Sequence, residues 1–160
     1  MNEVERIEKI ASHIDNVRKN GLIIAKKLIE LGQVELGRHL VAEVHRHDVS
    51  KFFATEWTNL DHYVSEDKVD KDKLSLAVQQ HNTSNPHHPE YWDGIANMPR
   101  VYLAEMVCDW AARASEFGTS LHDWITGGAM KRYSFKKNSK VYKDIMFFVN
   151  LLVDKPFKQT

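Results

Sequence analysis

The sequence of 160 residues predicts an all-α fold of about six to seven helices in a single domain that covers residues 1–160. Apolar residues recur at spacings of three or four along most of the chain, which is the period of an amphipathic helix. Glycine and proline stand where these stretches end, and no series of alternating apolar and polar residues indicates a sheet. The length suits one domain, since domains most often contain about 100–150 residues.

A long apolar stripe and a shorter one predict the first two helices. The first helix runs from Ile7 to a stop at Gly32, and Gly21 is expected to bend it. The second is expected from about Val34 to Arg46. The stripe of the first helix consists of Ile10, Ile14, Val17, Ile24, Leu28 and Leu31.

Capping residues place the third and fourth helices. Ser50 is expected to cap a third helix through "KFFATEWTNL", and Asp70 or Asp72 to start a fourth that carries "KLSLAVQQH". The fourth should stop before Asn85, because the residue that precedes Pro86 disfavours the helical conformation. The segment "NTSNPHHPEYWDG" is rich in turn formers and predicts a loop.

The C-terminal half predicts a central helix and two others. The strongly apolar "RVYLAEMVCDWAARASEF" follows Pro99, a favourable first-turn residue, and Gly118 closes it. A short helix is expected around "SLHDWI", then a break at Gly127 and Gly128 and a basic loop, "MKRYSFKKNSK". The last helix is "KVYKDIMFFVNLLV".

Charge and composition argue against several classes of protein. Lys plus Arg and Asp plus Glu number 22 each, so no overall field favours nucleic acid or an acidic membrane. The polar start resembles no secretory signal, and no apolar run approaches the roughly 20 residues of a membrane span. The single cysteine, Cys108, excludes an intramolecular disulfide. We therefore expect a cytoplasmic protein with neither a membrane nor a nucleic-acid partner.

Histidines and aspartates near the predicted helix ends indicate a metal site. His47 and Asp48 follow the second helix side by side, so both side chains can face the same space. Asp109 lies within the most apolar helix, where an unpaired carboxylate is costly to desolvate. His13 lies beside the stripe of the first helix. Neutral imidazoles with carboxylates suit one or two divalent ions of Mn, Fe, Co, Ni or Zn.

The order of these four residues resembles a known signature. His13, then His47-Asp48, then Asp109 looks like the H…HD…D pattern of the HD superfamily of metal-dependent phosphohydrolases. The resemblance implies an all-α HD-like domain in which the four residues, carried on separate helices, bind the first metal.

A second stretch resembles one branch of that superfamily. "HHPEYWDG" is similar to the HHExxDG stretch of the HD-GYP branch, whose extra histidines hold a second metal, and it implies that role for His81, His87 and His88. No GYP tripeptide follows Gly94, so specificity for cyclic dinucleotides is not implied. "HDVSKF" combined with "NPHHPEYW" is most similar to a small group of HD-like proteins found in bacteria and their phages.

Each candidate also has a structural interpretation. The imidazole–carboxylate pair after the second helix could form a helix terminus, and His13 could be a solvated helix residue. Asp109 could pair with Arg113 one turn later. The loop histidines need no metal, and Glu105 is either an acceptor that orients a ligand imidazole or a charge on a helix face. The remaining histidines are expected at the surface or behind the ligands: His39, His45, His62 and His122.

Hydrolysis of a phosphoester is the chemistry that such a site predicts. Metals would bind the phosphate oxygens and lower the pKa of a water molecule, with Asp48 and Lys51 as the catalytic candidates. Resembling proteins with an HDxxK pattern place this lysine near phosphate.

Basic and aromatic residues could complete a substrate pocket. Lys131 and Arg132 could clamp a phosphate as a lid, and Tyr91 and Trp92 could shape the pocket for a base. The predicted function is metal-dependent hydrolysis of a nucleotide or a similar small phosphoester. A di-iron HD-type oxygenase and a non-catalytic protein that binds a nucleotide or another protein are the alternatives.

Overall fold

The all-α prediction is confirmed by a computed structural model, which describes residues 2–60 and 70–153. Within these residues the chain forms seven helices and no strand. The sixth consists of three consecutive segments, of which the middle one is π-helical. In chain order the helices are α1 (Glu3–Glu30), α2 (Val34–Arg46), α3 (Ala54–Asn59), α4 (Lys71–Ser84), α5 (Arg100–Phe117), α6 (Leu121–Asp123, Trp124–Ala129 and Met130–Arg132) and α7 (Lys140–Leu152).

Helix α1 is long and packs closely on α2. It begins with a capping box in which the Asn2 side chain accepts from the Glu5 amide and the Glu5 carboxylate accepts from the Asn2 amide. The helix continues through Gly21, where a bend was expected. A Cβ atom at that position would lie 2.6 Å from Cγ1 of Val44, so the glycine permits the close contact between α1 and α2. This contact brings the middle of α1 near the end of α2.

The chain between α2 and α3 differs from the prediction. Ser50 does not cap a helix, because it lies inside a 3₁₀ turn, Val49–Phe52, and α3 begins only after Phe53. Left-handed backbone at Asp48 (φ 55°) and Ala54 (φ 47°) separates this turn from the flanking helices. The Ser50 hydroxyl instead donates a hydrogen bond of 2.9 Å to Glu56 Oε2.

Helix α4 confirms its two predicted boundaries. The Asp70 carboxylate caps it by accepting from the amides of Asp72 and Lys73, and the helix ends at Ser84, before the Asn-Pro pair. The following histidine-rich segment forms two 3₁₀ turns, Pro89–Trp92 and Ile95–Asn97.

The predicted break at Gly127 and Gly128 is wrong, because helix α6 continues through both residues. Gly127 and Gly128 lie inside the π-helical segment, and helical structure continues to Arg132. Buried Ile125 and Ala129 anchor this segment in the core, which explains why the glycine pair does not interrupt it. The basic segment therefore starts as a helix and becomes irregular only from Tyr133.

The core lies where α1, α2, α5 and α7 pack on one another. Its buried apolar side chains form one cluster, and each fully buried Leu, Ile or Phe contributes about 1.5–3 kcal/mol. Helix α5 is the most central, and Gly118 (φ 64°) ends it as predicted. None of the helices described here combines the length and the apolar character that crossing a membrane requires. The largest fully buried side chains include Ile24, Leu28, Leu40, Met106 and Phe148.

Candidate metal centre

Seven side chains from distant parts of the chain converge at one end of this core. One set, the first metal position, consists of His13 from α1, His47 from the end of α2 and Asp109 from α5. The other set, the second metal position, consists of His81 from α4, His87 and His88 from the loop, and Asp48. Within each set the ligand atoms lie within 4.8 Å of one another. All seven metal ligands expected from the sequence therefore meet in space.

Asp48 lies between the two positions. Its Oδ1 is 3.3 Å from His81 Nε2 and 3.4 Å from His87 Nε2. Its Oδ2 is 3.5 Å from His47 Nε2 and 3.7 Å from His13 Nε2. The carboxylate is therefore shared by both sets. The left-handed backbone at this residue, which is uncommon outside glycine, turns the chain sharply after α2 so that adjacent His47 and Asp48 point to the same centre.

Asp109 completes the first metal position. Its Oδ1 lies 3.1 Å from His13 Nε2 and 3.8 Å from His47 Nε2. The alternative pairing with Arg113 is not what the structure shows, because the guanidinium of Arg113 lies 3.3 Å from Glu116 instead.

Carboxylates behind the ligands hold the imidazole rings. Glu116 lies 2.9 Å from Nδ1 of His13, and Glu56 lies 2.7 Å from Nδ1 of His81. A carboxylate that accepts the Nδ1 proton leaves the Nε2 lone pair facing the centre, which is the usual arrangement around metal-bound histidine. Neither glutamate was predicted from the sequence. Glu116 had a signal, since it lies two turns after Asp109 on the same helix, whereas Glu56 had none.

Glu105 holds a ligand from each position. Its Oε1 lies 3.0 Å from Nδ1 of His47 and 3.5 Å from Nδ1 of His87, and its side chain is buried. The sequence left it as either an acceptor behind a ligand or a helix-face charge. The structure places it as that acceptor.

Whether the cluster suits a metal depends on whether the side-chain nitrogens and oxygens that face its centre already have hydrogen-bond partners. Within the described residues, Nε2 of His13, His47, His87 and His88 and Oδ1 of Asp48 are buried and make no hydrogen bond. Contacts of 3.1–3.8 Å between these nitrogens and the carboxylates lack hydrogen-bond geometry. Buried polar atoms normally have partners, and a set of orphaned lone pairs that face one centre is the donor set that a divalent ion needs. The residues therefore fit a metal.

The two aspartates are held in their ionised form. Burial opposes their ionisation, but the adjacent His47 imidazole and the Lys51 ammonium hold the pKa of Asp48 well below its usual range. Burial likewise opposes ionisation of Asp109, while His13 and His47 keep its pKa low. Both side chains therefore present anionic oxygens at neutral pH.

Burial shifts the neighbouring groups in different directions. Burial alone would lower the pKa of His81, but the neighbouring Asp48 and Glu56 carboxylates raise it to about 9. Burial raises the pKa of Glu105 to about 7. Burial and two neighbouring imidazoles lower the pKa of His88 to about 2, so this ring is neutral at pH 7. A metal that binds His81 must therefore displace a proton, as is common for histidine sites.

Replacing the carboxylates behind the ligands should weaken metal binding without abolishing it. Glu56→Gln and Glu116→Gln are each expected to reduce metal affinity by about 10–100-fold, because the ligand ring loses its charged acceptor. Titration with a fluorescent metal chelator as competitor would measure the change. Glu8→Gln, an exposed change on α1, serves as the control. Unchanged affinity in both variants would contradict the orienting role.

A cavity of about 620 Å³ opens onto both metal positions. Its wall includes four ligands, Asp48, His81, His88 and Asp109, and its size lies within the range of about 300–1,000 Å³ that is usual for small-molecule sites. Four basic side chains line it: Lys9, Lys51, Arg113 and Arg132. Four aromatic side chains also line it: Trp110, Phe117, Trp124 and Tyr133.

Some residues expected at the pocket lie elsewhere. Tyr91 and Trp92 do not line this cavity. Tyr91 is 45% exposed, whereas Trp92 packs against Tyr102 and donates from its indole nitrogen to the Pro86 carbonyl. Both residues lie in the 3₁₀ turn Pro89–Trp92 that follows the histidine pair.

The basic segment contributes one of its two expected residues. Lys131 is exposed and does not line the cavity. Arg132 does line it, and its guanidinium lies 3.6 Å from Glu90 of the histidine-rich loop. Among the other histidines, His39 is bound to Glu43 and His45 to the Val41 carbonyl, both at the surface. His122 is 42% exposed, and His62 lies outside the described residues.

The fold and the site define an all-α protein with a buried cluster of histidines and carboxylates that suits a divalent metal. The chain belongs to the DUF5662 family, a family of unknown function, whose model matches residues 2–155. No curated protein and no solved structure matches the chain.

Proposed function

We propose that the chain is an HD-type metal-dependent phosphohydrolase that acts on a nucleotide or a similar small phosphoester. The observation that carries the proposal is the position of Asp48, whose two oxygens face two separate sets of imidazoles. Carboxylates shared between neighbouring metal positions are suited to two-metal hydrolysis. Metal ions bound here would polarise a phosphate and lower the pKa of a water molecule.

The residues of the chain supply binding and charge. Lys51 Nζ lies 2.8 Å from Asp48 Oδ2, and its side chain is 11% exposed on the cavity wall. Burial alone would lower the pKa of this ammonium, but Asp48 raises it, so Lys51 stays cationic. A phosphate that enters the cavity can take one oxygen to this ammonium, and Arg113 on the same wall offers a guanidinium. The basic lining therefore favours an anionic substrate.

The test combines metal analysis with a substrate screen. Purified wild-type protein is expected to contain stoichiometric Mn, Fe, Co, Ni or Zn and to hydrolyse at least one compound in a panel of nucleotides and phosphoesters. His47→Ala should lose the metal of the first position and the activity. His45→Ala is the matched control, since this imidazole lies two residues earlier but is exposed and bonded to the Val41 carbonyl. Absence of metal even after reconstitution would contradict the proposal.

Other outcomes would identify the two alternatives. Bound iron with a visible charge-transfer band and no hydrolysis would indicate the di-iron oxygenase. A nucleotide that binds and is recovered unchanged, with metal present, would indicate a non-catalytic binding protein. A cytoplasmic location and the lack of a nucleic-acid partner stay predictions from composition.

A further inference from the structure

The π-helical segment of α6 positions an aromatic wall beside the metal centre. Trp124 is the first residue of this segment and lines the same cavity as Asp48 and Asp109. Trp110, the residue after Asp109, meets Trp124 in a T-shaped pair with ring centroids 5.9 Å apart and planes at 84°. Tyr133 lies nearly parallel to Trp110, with an interplanar angle of 13° and centroids 6.1 Å apart. Three aromatic rings thus form one continuous wall.

Gly128 makes room for the Trp124 ring. A Cβ atom at residue 128 would lie 2.4 Å from Cε3 and 2.5 Å from Cζ3 of the indole, so any other residue must displace the ring. Among the described residues the indole nitrogen has no hydrogen-bond partner, so packing alone fixes its orientation. A Cβ atom at Gly127, in contrast, would meet nothing within 4 Å. Of the two glycines, only Gly128 lies where a side chain would clash with the Trp124 ring.

The cavity also has a positively charged side, which differs in character from the apolar aromatic wall. Lys51 and Arg113 bring positive charge to the side near Asp48 and Asp109, while Trp124 and its neighbours are flat and apolar. A ligand that fills this cavity therefore needs an anionic end and a planar end. π-helical turns recur at functional sites because the extra residue redirects side chains that a regular helix would place elsewhere.

We propose that Trp124, held by the π-helical segment and by Gly128, is a specificity-determining residue that stacks on the planar ring of a nucleoside monophosphate whose phosphate lies at the metal centre. The selection of this substrate class rests on the proposed phosphohydrolase function, but the stacking itself does not. Base stacking on an aromatic ring makes a ring-bearing ligand bind about 5–150-fold more tightly than its ring-free counterpart.

Two neighbouring glycines provide the test. Dissociation constants for adenosine monophosphate and ribose 5-phosphate would be measured by calorimetry for the metal-loaded wild type and for Gly128→Ala, Gly127→Ala and Trp124→Leu. The wild type should prefer adenosine monophosphate by at least about fivefold. Gly128→Ala and Trp124→Leu should bring the two constants within about twofold of each other, while Gly127→Ala keeps the preference. The affinity for ribose 5-phosphate should be the same in all four proteins.

The outcomes separate stacking from hydrolysis. Equal affinity of the wild type for the two compounds would overturn the proposal, even if both are hydrolysed. An equal loss of preference in Gly127→Ala and Gly128→Ala would also overturn it, because backbone mobility rather than space for the indole would then matter. If the preference for adenosine monophosphate depends on Trp124 but neither compound is hydrolysed, the result would support stacking on Trp124 and contradict the proposed phosphohydrolase function. Trp124→Leu decides the matter if Gly128→Ala does not fold.

Discussion

Replacing Asp48 with asparagine is expected to remove bound metal from both positions and to lower hydrolytic activity by about 10³-fold or more. Each oxygen of this carboxylate faces a different set of imidazoles, so neither position keeps its anionic shared ligand. Asparagine tolerates the left-handed backbone at this residue better than most side chains, so the turn after α2 should be preserved. Elemental analysis of the folded variant measures the metal, and a phosphoester assay measures the activity.

The same experiment distinguishes shared from separate ligands. Asp109→Asn should lower the metal content to about half of the wild-type value, because Asp109 belongs only to the first position and the second keeps its ligands. Asp15→Asn is the control, since this aspartate of α1 is 62% exposed and pairs with Arg18. Equal losses in Asp48→Asn and Asp109→Asn would show that the two sets do not bind independently.

Metal should also raise the thermal stability of the wild-type protein. A ligand that binds only the folded state stabilises it by about 2.7 kcal/mol at a free concentration of about 100 times its Kd. For a chain of this size that corresponds to a rise in Tm of about 5–11 °C. Scanning calorimetry with MnCl₂ and with a chelator would measure the difference.

Asp48→Asn should lower the stability in chelator and also remove the rise in Tm that metal produces. In chelator the variant is expected to be less stable than the wild type, because asparagine leaves the buried Lys51 ammonium without its anionic partner. With metal the wild type should be the more stable protein. A metal-dependent rise in Tm of the same size in both proteins would place binding elsewhere on the chain.

The residues that meet at the site could be picked out because their chemistry, and an order that resembles the HD superfamily, are visible along the chain. His13, His47 and Asp48 end up together because α1 and α2 pack tightly at Gly21, and the helical pattern already implied both helices. Asp109 was singled out because a lone carboxylate in an apolar helix needs a partner. These inferences depend on local pattern and on the cost of burial, both of which a sequence contains.

Other parts of the site depend on packing that the sequence does not reveal. Ser50 was wrongly expected to cap a helix because serine is a common capping residue. In the structure its hydroxyl donates a hydrogen bond to Glu56 instead. Tyr91 and Trp92 were expected to shape the pocket for a base because they follow the histidines in the same loop, whereas the cavity is lined by Trp110, Trp124 and Tyr133.

The break predicted at Gly127 and Gly128 was also wrong because it depends on packing that the sequence does not reveal. Glycine in a periodic stretch usually indicates a break. Here Gly128 provides space for the Trp124 ring, and buried Ile125 keeps the segment helical. Only the three-dimensional contact with the indole distinguishes these two roles.

The contact between Lys51 and Asp48 implies that the Lys51 ammonium balances the charge of this carboxylate when no metal ion is bound. The ammonium lies 2.8 Å from the shared carboxylate, and His81 adds a second positive charge on the opposite oxygen because its pKa is about 9. An uncompensated carboxylate buried to this extent would strongly oppose folding. With both charges in place, the buried carboxylate is balanced without a metal, so the chain is expected to fold whether or not an ion is available.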